Sequence, residues 1–208
     1  MEVTVLNKEG KDTGRKIALS AAVFGLEENE HVVYLDIKQH LANRRQGTHK
    51  AKQRAEITGS TRKIKKQKGT GGARAGDIKN PLFKGGGRVF GPEPRDYGFK
   101  LNKKVKTLAK KTVLSSQVKN DKVIVLEDVK FDFPKTKDFT SILSSLDLTG
   151  KRVTFVLPEY DKNVYLSSKN IQKVKVLSVQ DINAYDLMNC TKLILAESSL
   201  SSIENALS

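Results

Sequence analysis

The cations of this chain crowd into one internal stretch that has too few apolar residues to fold around. Residues 41–111 hold 21 Lys and Arg against 4 Asp and Glu, a net of +17, while the rest of the 208-residue chain nets −2. Residues 47–100 contain 13 apolar residues in 54, against 65 in the other 154. They also take 11 of the 15 glycines and three of the five prolines, Pro81, Pro92 and Pro94. A segment of this composition cannot bury enough apolar surface to offset the entropy of ordering itself. It lies between two helical patterns, so it leaves a folded body and returns to it. Structureless stretches of this length inside a domain are uncommon unless they are functional. The expected organisation is a globular body from residues 1–46 and 101–208, with an extended excursion over 47–100. At about 3.3–3.6 Å per residue, an out-and-back excursion reaches at most roughly 80–90 Å.

The remainder reads as α/β. Val3–Leu6 alternates and can pair with Lys16–Leu19 across the turn-rich Lys8–Gly14. From Glu30 to about Gly47 the pattern is helical, with Val33, Ile37 and Leu41 spaced by four. It is helical again from Leu101 to about Lys119, where Leu101, Val105, Leu108 and Thr112 share one face and Lys103, Lys106 and Lys110 another. Strands are then expected at Val123–Leu126, Val153–Leu157, Val174–Leu177 and Leu193–Leu195. Between and after them come helices at Phe139–Leu146, Val164–Ile171, Ile182–Met188 with Asn183 as a cap, and Leu200–Leu207. Short apolar runs alternating with helices predict βαβ units: a largely parallel sheet flanked by helices.

A net charge of +15 concerns partners more than fold, and nucleic acid is the polyanion a basic protein meets most often. No run approaches eighteen apolar residues, so no membrane span is expected. The opening MEVTVLNKEG has an acid at Glu2 and no apolar core of a signal peptide, which makes the cytoplasm the expected location. The single Cys190 fits a reducing compartment and reads as a small buried apolar residue. No homo-oligomer is expected.

Catalytic motifs are missing from the sequence. No Gly is followed by Lys and then Ser or Thr, so there is no Walker A loop. Gly69-Thr70-Gly71 and Gly85-Gly86-Gly87 begin a dinucleotide fingerprint, but Arg74 and Phe90 stand where its last glycine belongs, and neither follows a strand. There is no Gly-x-Ser-x-Gly. His31, His40 and His49 lie nine apart, which puts helical neighbours on opposite faces, and no metal-ligand spacing is present. Glu127-Asp128, Glu159 and Asp161 follow strands, where α/β enzymes place catalytic carboxylates and where any such fold turns into solvent. With no partner motif they read as solvated turns. No catalytic residue, metal or cofactor is expected.

The basic stretch carries the functional signal. Arg62-Lys63-Ile64-Lys65-Lys66-Gln67-Lys68 puts five cations into seven residues, and Gly69–Gly76 follows. Cations neutralise phosphates and release counterions, glycines let a backbone approach closely, and Phe83, Phe90, Tyr97 and Phe99 among the charges can stack on unpaired bases. The candidate RNA-binding residues are Arg44, Arg45, His49, Lys50, Lys52, Arg54, Arg62, Lys63, Lys65, Lys66, Lys68, Arg74, Lys79, Lys84, Arg88, Arg95, Lys103 and Lys104.

Arg62–Gly76, RKIKKQKGTGGARAG, resembles the loop of the bacterial form of the universal ribosomal large-subunit protein four family. The resemblance covers nearly the whole chain. Gln46–Lys52 with Gly59-Ser60 resembles the start of the family's loop, and Gly85–Gly87 with Val89-Phe90-Gly91-Pro92 its return. Leu101–Lys104 resembles the helix that follows, and Asn183–Leu187 with Lys192–Leu195 the C-terminal signature. One difference is Gly72, where the family's tip often has the first arginine of Gly-Thr-Gly-Arg-Ala-Arg. The resemblance implies a structural constituent of the large ribosomal subunit that binds its 23S-type RNA early in assembly and touches neighbouring ribosomal proteins. It further implies that Lys68, Gly69, Thr70, Gly71, Gly72, Ala73 and Arg74 form a tip lining the exit tunnel, facing the nascent polypeptide. The alternative is an RNA-modifying enzyme, methyltransferase-like, with a basic RNA-binding insertion.

Overall fold

A computed structural model describes residues 2–207. The chain divides into two compact units, one formed by the residues up to Leu41 with those from Lys100 onward, the other by Ala42–Phe99.

The first unit is built on a six-stranded sheet in the order β2-β1-β3-β6-β4-β5. Its strands are β1 (Glu2–Leu6), β2 (Asp12–Ala18), β3 (Val123–Leu126), β4 (Val153–Leu157), β5 (Val174–Ser178) and β6 (Lys192–Ala196). Among the described residues only the β1–β2 hairpin is antiparallel, and the other pairings are parallel. The helices are α1 (Ala21–Phe24), α2 (Glu30–Asn43), α3 (Lys103–Lys119), α4 (Thr136–Ser145), α5 (Lys162–Lys169), α6 (Ala184–Asn189) and α7 (Glu197–Leu207). The mixed α/β architecture and mostly parallel sheet follow the alternating pattern of the sequence.

Side chains alternate across a strand, and here each face receives its own core. On one face Val5, Val125, Leu193, Leu195 and Val156 pack with Phe24 of α1, Val113 and Leu114 of α3, Leu187 of α6 and Ile203 of α7. On the other, Leu126, Ile194, Phe155 and Leu157 pack with Phe139 and Leu143 of α4 and Val164 of α5. Because β4 is covered on both sides, all five of its residues are buried. Full burial of each Leu, Ile or Phe contributes about 1.5–3 kcal/mol, and strands and helices both supply such residues to the two cores.

Several boundaries differ from the sequence pattern. Helix α2 ends at Asn43 rather than near Gly47, and its buried residues are Val33, Asp36 and Gln39, with Leu41 exposed. Asp36 has an electrostatic counterpart in Lys110 of α3, whose ammonium is pushed down chiefly by burial and held up by that carboxylate. Val33 and Ile37 of the apolar stripe still pack on the core, and the polar Asp36 and Gln39 are buried beside them. Leu108, expected on the core face of α3, is exposed, and the buried side begins at Ala109. Asn183 caps α6 as expected, its Oδ1 accepting from Asp186 N at 2.8 Å.

Candidate nucleic-acid interface

The second unit has no apolar core. Among its described residues only Asp77 and Gly87 are buried, and neither brings an apolar side chain. Backbone hydrogen bonds hold two legs of chain together. Arg95 N donates to Gly47 O at 3.2 Å, Ala51 N to Pro92 O at 3.0 Å, Arg88 N to Lys52 O at 3.0 Å and Gly87 N to Lys79 O at 3.0 Å. Farther out, Ile64 N donates to Gly76 O at 2.9 Å.

Close backbone approach explains two of the glycines. Gly47 has φ +64, and a Cβ there would lie 2.0 Å from Arg95 O, inside the first rung. A Cβ on Gly87 would lie 2.4 Å from Arg54 N. Gly72 is different: a Cβ would meet only Lys65 Nζ at 3.3 Å, the far end of a flexible side chain, so the space accepts the arginine common in the family resembled.

Polar side chains lock the legs. Arg54, in a short 3-10 turn (Arg54–Glu56), donates to Asp77 Oδ2 at 2.8 Å, while Asp77 Oδ1 is buried without a hydrogen-bond partner among the described residues. Gln53 and Glu56 form a capping box on that turn, and Gln53 Nε2 donates to Glu93 Oε1 at 2.5 Å. Lys50 pairs with Glu56; the carboxylate raises the pKa of the amine and is lowered in turn. At the root, the Tyr97 ring has the Arg45 guanidinium 3.6 Å and the Arg95 guanidinium 4.4 Å from its centroid. Its hydroxyl lies 3.2 Å from His49 Nε2. Cation–π contacts of this kind contribute about 0.5–1 kcal/mol each at exposed sites.

Of the candidate RNA-binding residues, Lys79 is half-buried. Arg44, Arg45, His49, Lys50, Lys52, Arg54, Arg62, Lys63, Lys65, Lys66, Lys68, Arg74, Lys84, Arg88 and Arg95 are exposed in this unit. The tip residues Lys68–Arg74 are all exposed. Lys103 and Lys104 lie exposed on the first turn of α3 in the other unit. Leu82, Phe90 and Val89 expose apolar surface among the cations, Phe90 completely and with φ +51. Sequence reasoning missed Asp77 and Glu56 as fasteners. Their signal was scarcity, since residues 41–111 hold only four acids.

Most strand-end carboxylates of the first unit have structural partners. Asp128 Oδ1 accepts from Ser198 N at 3.1 Å and Ser198 Oγ at 2.7 Å, and Asp161 Oδ1 caps α5 through Asn163 N at 2.8 Å. Glu127 and Glu197 share Arg15 at 2.7 and 3.0 Å. The depression beside them, about 550 Å³, is lined by Asp128, Glu159, Tyr160, Asp161 and Ser198. Among the described residues no group of three His, Cys, Asp or Glu could hold a metal, and no helix is long and apolar enough to cross a membrane.

Residues 17–206 match the model of the ribosomal protein L4/L1 family. Over 208 residues, all of both chains, the sequence is 59% identical to large ribosomal subunit protein uL4 of Flavobacterium johnsoniae. Over the same full lengths it is 57% identical to that of Christiangramia forsetii and 55% to that of Phocaeicola vulgatus.

Proposed function

We propose a function from one premise: the chain belongs to the ribosomal protein L4/L1 family. It is a structural constituent of the large ribosomal subunit, binds large-subunit ribosomal RNA, and works in the cytoplasm within that particle. Its role there is non-catalytic, and the alternative of an RNA-modifying enzyme has no support among relatives that are all named ribosomal proteins.

In our reading the unit Ala42–Phe99 enters the RNA. The supporting observation is a compact segment that buries no apolar side chain yet presents fifteen of the candidate residues to solvent. Its rungs are backbone bonds, Glu56 and Asp77 hold Lys50 and Arg54, and Arg45 and Arg95 rest on Tyr97, so the exposed cations from Arg62 to Arg74 are the ones offered to phosphates. Binding is electrostatic and geometric: phosphate contacts fix register and RNA shape selects the place. The exposed Phe90 and Leu82 offer apolar surface to unstacked bases. The tip Lys68–Arg74 lines the exit tunnel and meets the nascent polypeptide, the protein joins the subunit early in assembly, and neighbouring ribosomal proteins are its other partners.

Crosslinking from Lys63–Arg74 in assembled subunits, read by mass spectrometry, tests the placement. Crosslinks to large-subunit RNA near the tunnel are expected. Crosslinks confined to the outer particle surface would overturn it.

A further inference from the structure

The four consecutive parallel strands of the first unit begin with cations and end with carboxylates. Lys122 precedes β3, Arg152 precedes β4, Lys173 precedes β5 and Lys192 opens β6; Glu127, Glu159, Asp181 and Glu197 follow the same strands. The register aligns them. Val123 is opposite Leu193, Val153 opposite Lys192, and Val153 opposite Val174, so the cations share one edge. At about 4.8 Å between neighbouring strands, the row spans roughly 14 Å. Lys151 and Lys175 flank it, and a depression of about 300 Å³ opens between Arg152, Lys173, Lys175 and Asn189.

The charge around these strands is divided between two edges. Part of the row has local work. Lys122 and Lys192 follow closely on the C-termini of α3 and α6, where a cation is favoured by about 0.3–1 kcal/mol. Lys192 Nζ donates to Asp121 O at 2.5 Å and Lys173 Nζ to Gly150 O at 3.2 Å. Arg152 Nη1 donates to Asn189 Oδ1 at 2.8 Å, and Lys175 pairs with the buried Asp186. Those bonds leave donors over: an ammonium has three and a guanidinium five. Lys151, Arg152, Lys173 and Lys175 stay exposed; the connections that enter these strands also carry Asp121 and Asp147, and Asp186 lines the depression.

We propose that the N-terminal edge of this parallel sheet is a second phosphate-binding face, on which Lys122, Lys192, Arg152 and Lys173 seat a ribose–phosphate backbone of large-subunit RNA. The inference rests on the ribosomal role above. It gives the globular unit an RNA contact of its own, at the end of α3 opposite Lys103 and Lys104.

The test uses the full chain and a transcript of large-subunit ribosomal RNA. Arg152→Glu with Lys173→Glu is compared with Lys130→Glu plus Lys162→Glu at the acidic edge, a change of equal charge. If two phosphates are lost, the slope of log K against log salt falls by about 1.4–1.8 in the first variant only. Lysine acetylation of the unmutated protein supplies a readout that needs no folded variant. RNA should protect Lys151, Lys173 and Lys192 and leave Lys130 and Lys162 reactive. Equal slopes for the two variants, or equal reactivity at both edges, would overturn the proposal and leave an acidic protein segment as the partner such a face fits. A parent chain that fails to bind the transcript would instead overturn the ribosomal reading beneath it.

Discussion

Arg54 Nη2 reaches Asp77 Oδ2 at 2.8 Å, and Asp77 is the one buried side chain of a unit otherwise open to solvent among its described residues. The pair joins the 3-10 turn of the outgoing leg to the segment before the return, beside the Lys52–Arg88 rung. In a unit without an apolar core, such a bond carries a larger share of the local order than it would in the sheet.

The two partners are not equivalent. Arg54→Ala leaves a buried carboxylate with neither oxygen bonded, which costs about 1–3 kcal/mol. Asp77→Ala leaves a guanidinium whose side chain is 56% exposed and can be served by water. Hydrogen exchange at the Gly87 and Arg88 amides should therefore accelerate more in Arg54→Ala than in Asp77→Ala. Equal acceleration would mean that the ladder, not the ion pair, holds the legs.

RNA affinity should depend steeply on salt. Each phosphate neutralised adds about 0.7–0.9 to the slope of log K against log salt. Reversing Arg62, Lys63, Lys65 and Lys66, all exposed, should flatten it by about three. A slope near zero, or one unchanged by these reversals, would show the cations to be solvated and idle.

The sheet was legible because β3, β4 and β6 are short, mostly apolar runs, the composition of strands covered on both faces. The packing of α2 was not: Asp36 and Gln39 are buried, Asp36 near Lys110 of α3, and a periodicity count treats both as solvent-facing. The cations of 41–111 were visible as a block, but not which of them are spent inside it. Lys50 and Arg54 look like any other candidates until Glu56 and Asp77 are placed beside them. The sorting of Lys122, Arg152, Lys173 and Lys192 to one edge also escapes a net charge, because averaging cancels it. It is written in the strand register, where every parallel strand carries its own first and last residue to the same two edges.

Cys190 is buried, its Sγ–H donating to Leu187 O at 3.0 Å. Burial pushes the thiol above its ordinary pKa, against a smaller lowering by Thr154. A raised pKa in the folded state means full stability below the ordinary thiol value of about 8.5, and a loss as pH rises from there toward the folded value, since the unfolded chain ionises first. Denaturant midpoints measured at about pH 7.5 and 9.5 should fall more for the parent than for Cys190→Ala. Alkylation of the folded protein should be slow and should follow unfolding. An identical pH dependence in both proteins would mean that the thiol does not feel its burial.

Removing Thr48–Phe99 should leave the first unit folded while altering the subunit. Every buried apolar side chain, from Val5 to Leu207, lies outside residues 42–99, and both core clusters are complete without them. A short linker from Gly47 to Lys100 gives up backbone rungs and ion pairs but no core. The truncated protein should melt cooperatively, with a midpoint within a few degrees of the full chain. In assembled subunits it should leave the tunnel wider where Lys68–Arg74 would stand. Lys68→Glu, at an exposed tip position, should keep the fold and most of the binding but place a carboxylate among phosphates and displace the tip. Subunit reconstructions of both variants, beside melting curves of the free proteins, decide the matter. A truncated chain that fails to fold would mean that the first unit draws stability from the second through something other than buried apolar area. A tunnel unchanged in both variants would move the tip elsewhere in the subunit, while leaving the salt dependence and the sheet-edge contact to stand or fall on their own measurements.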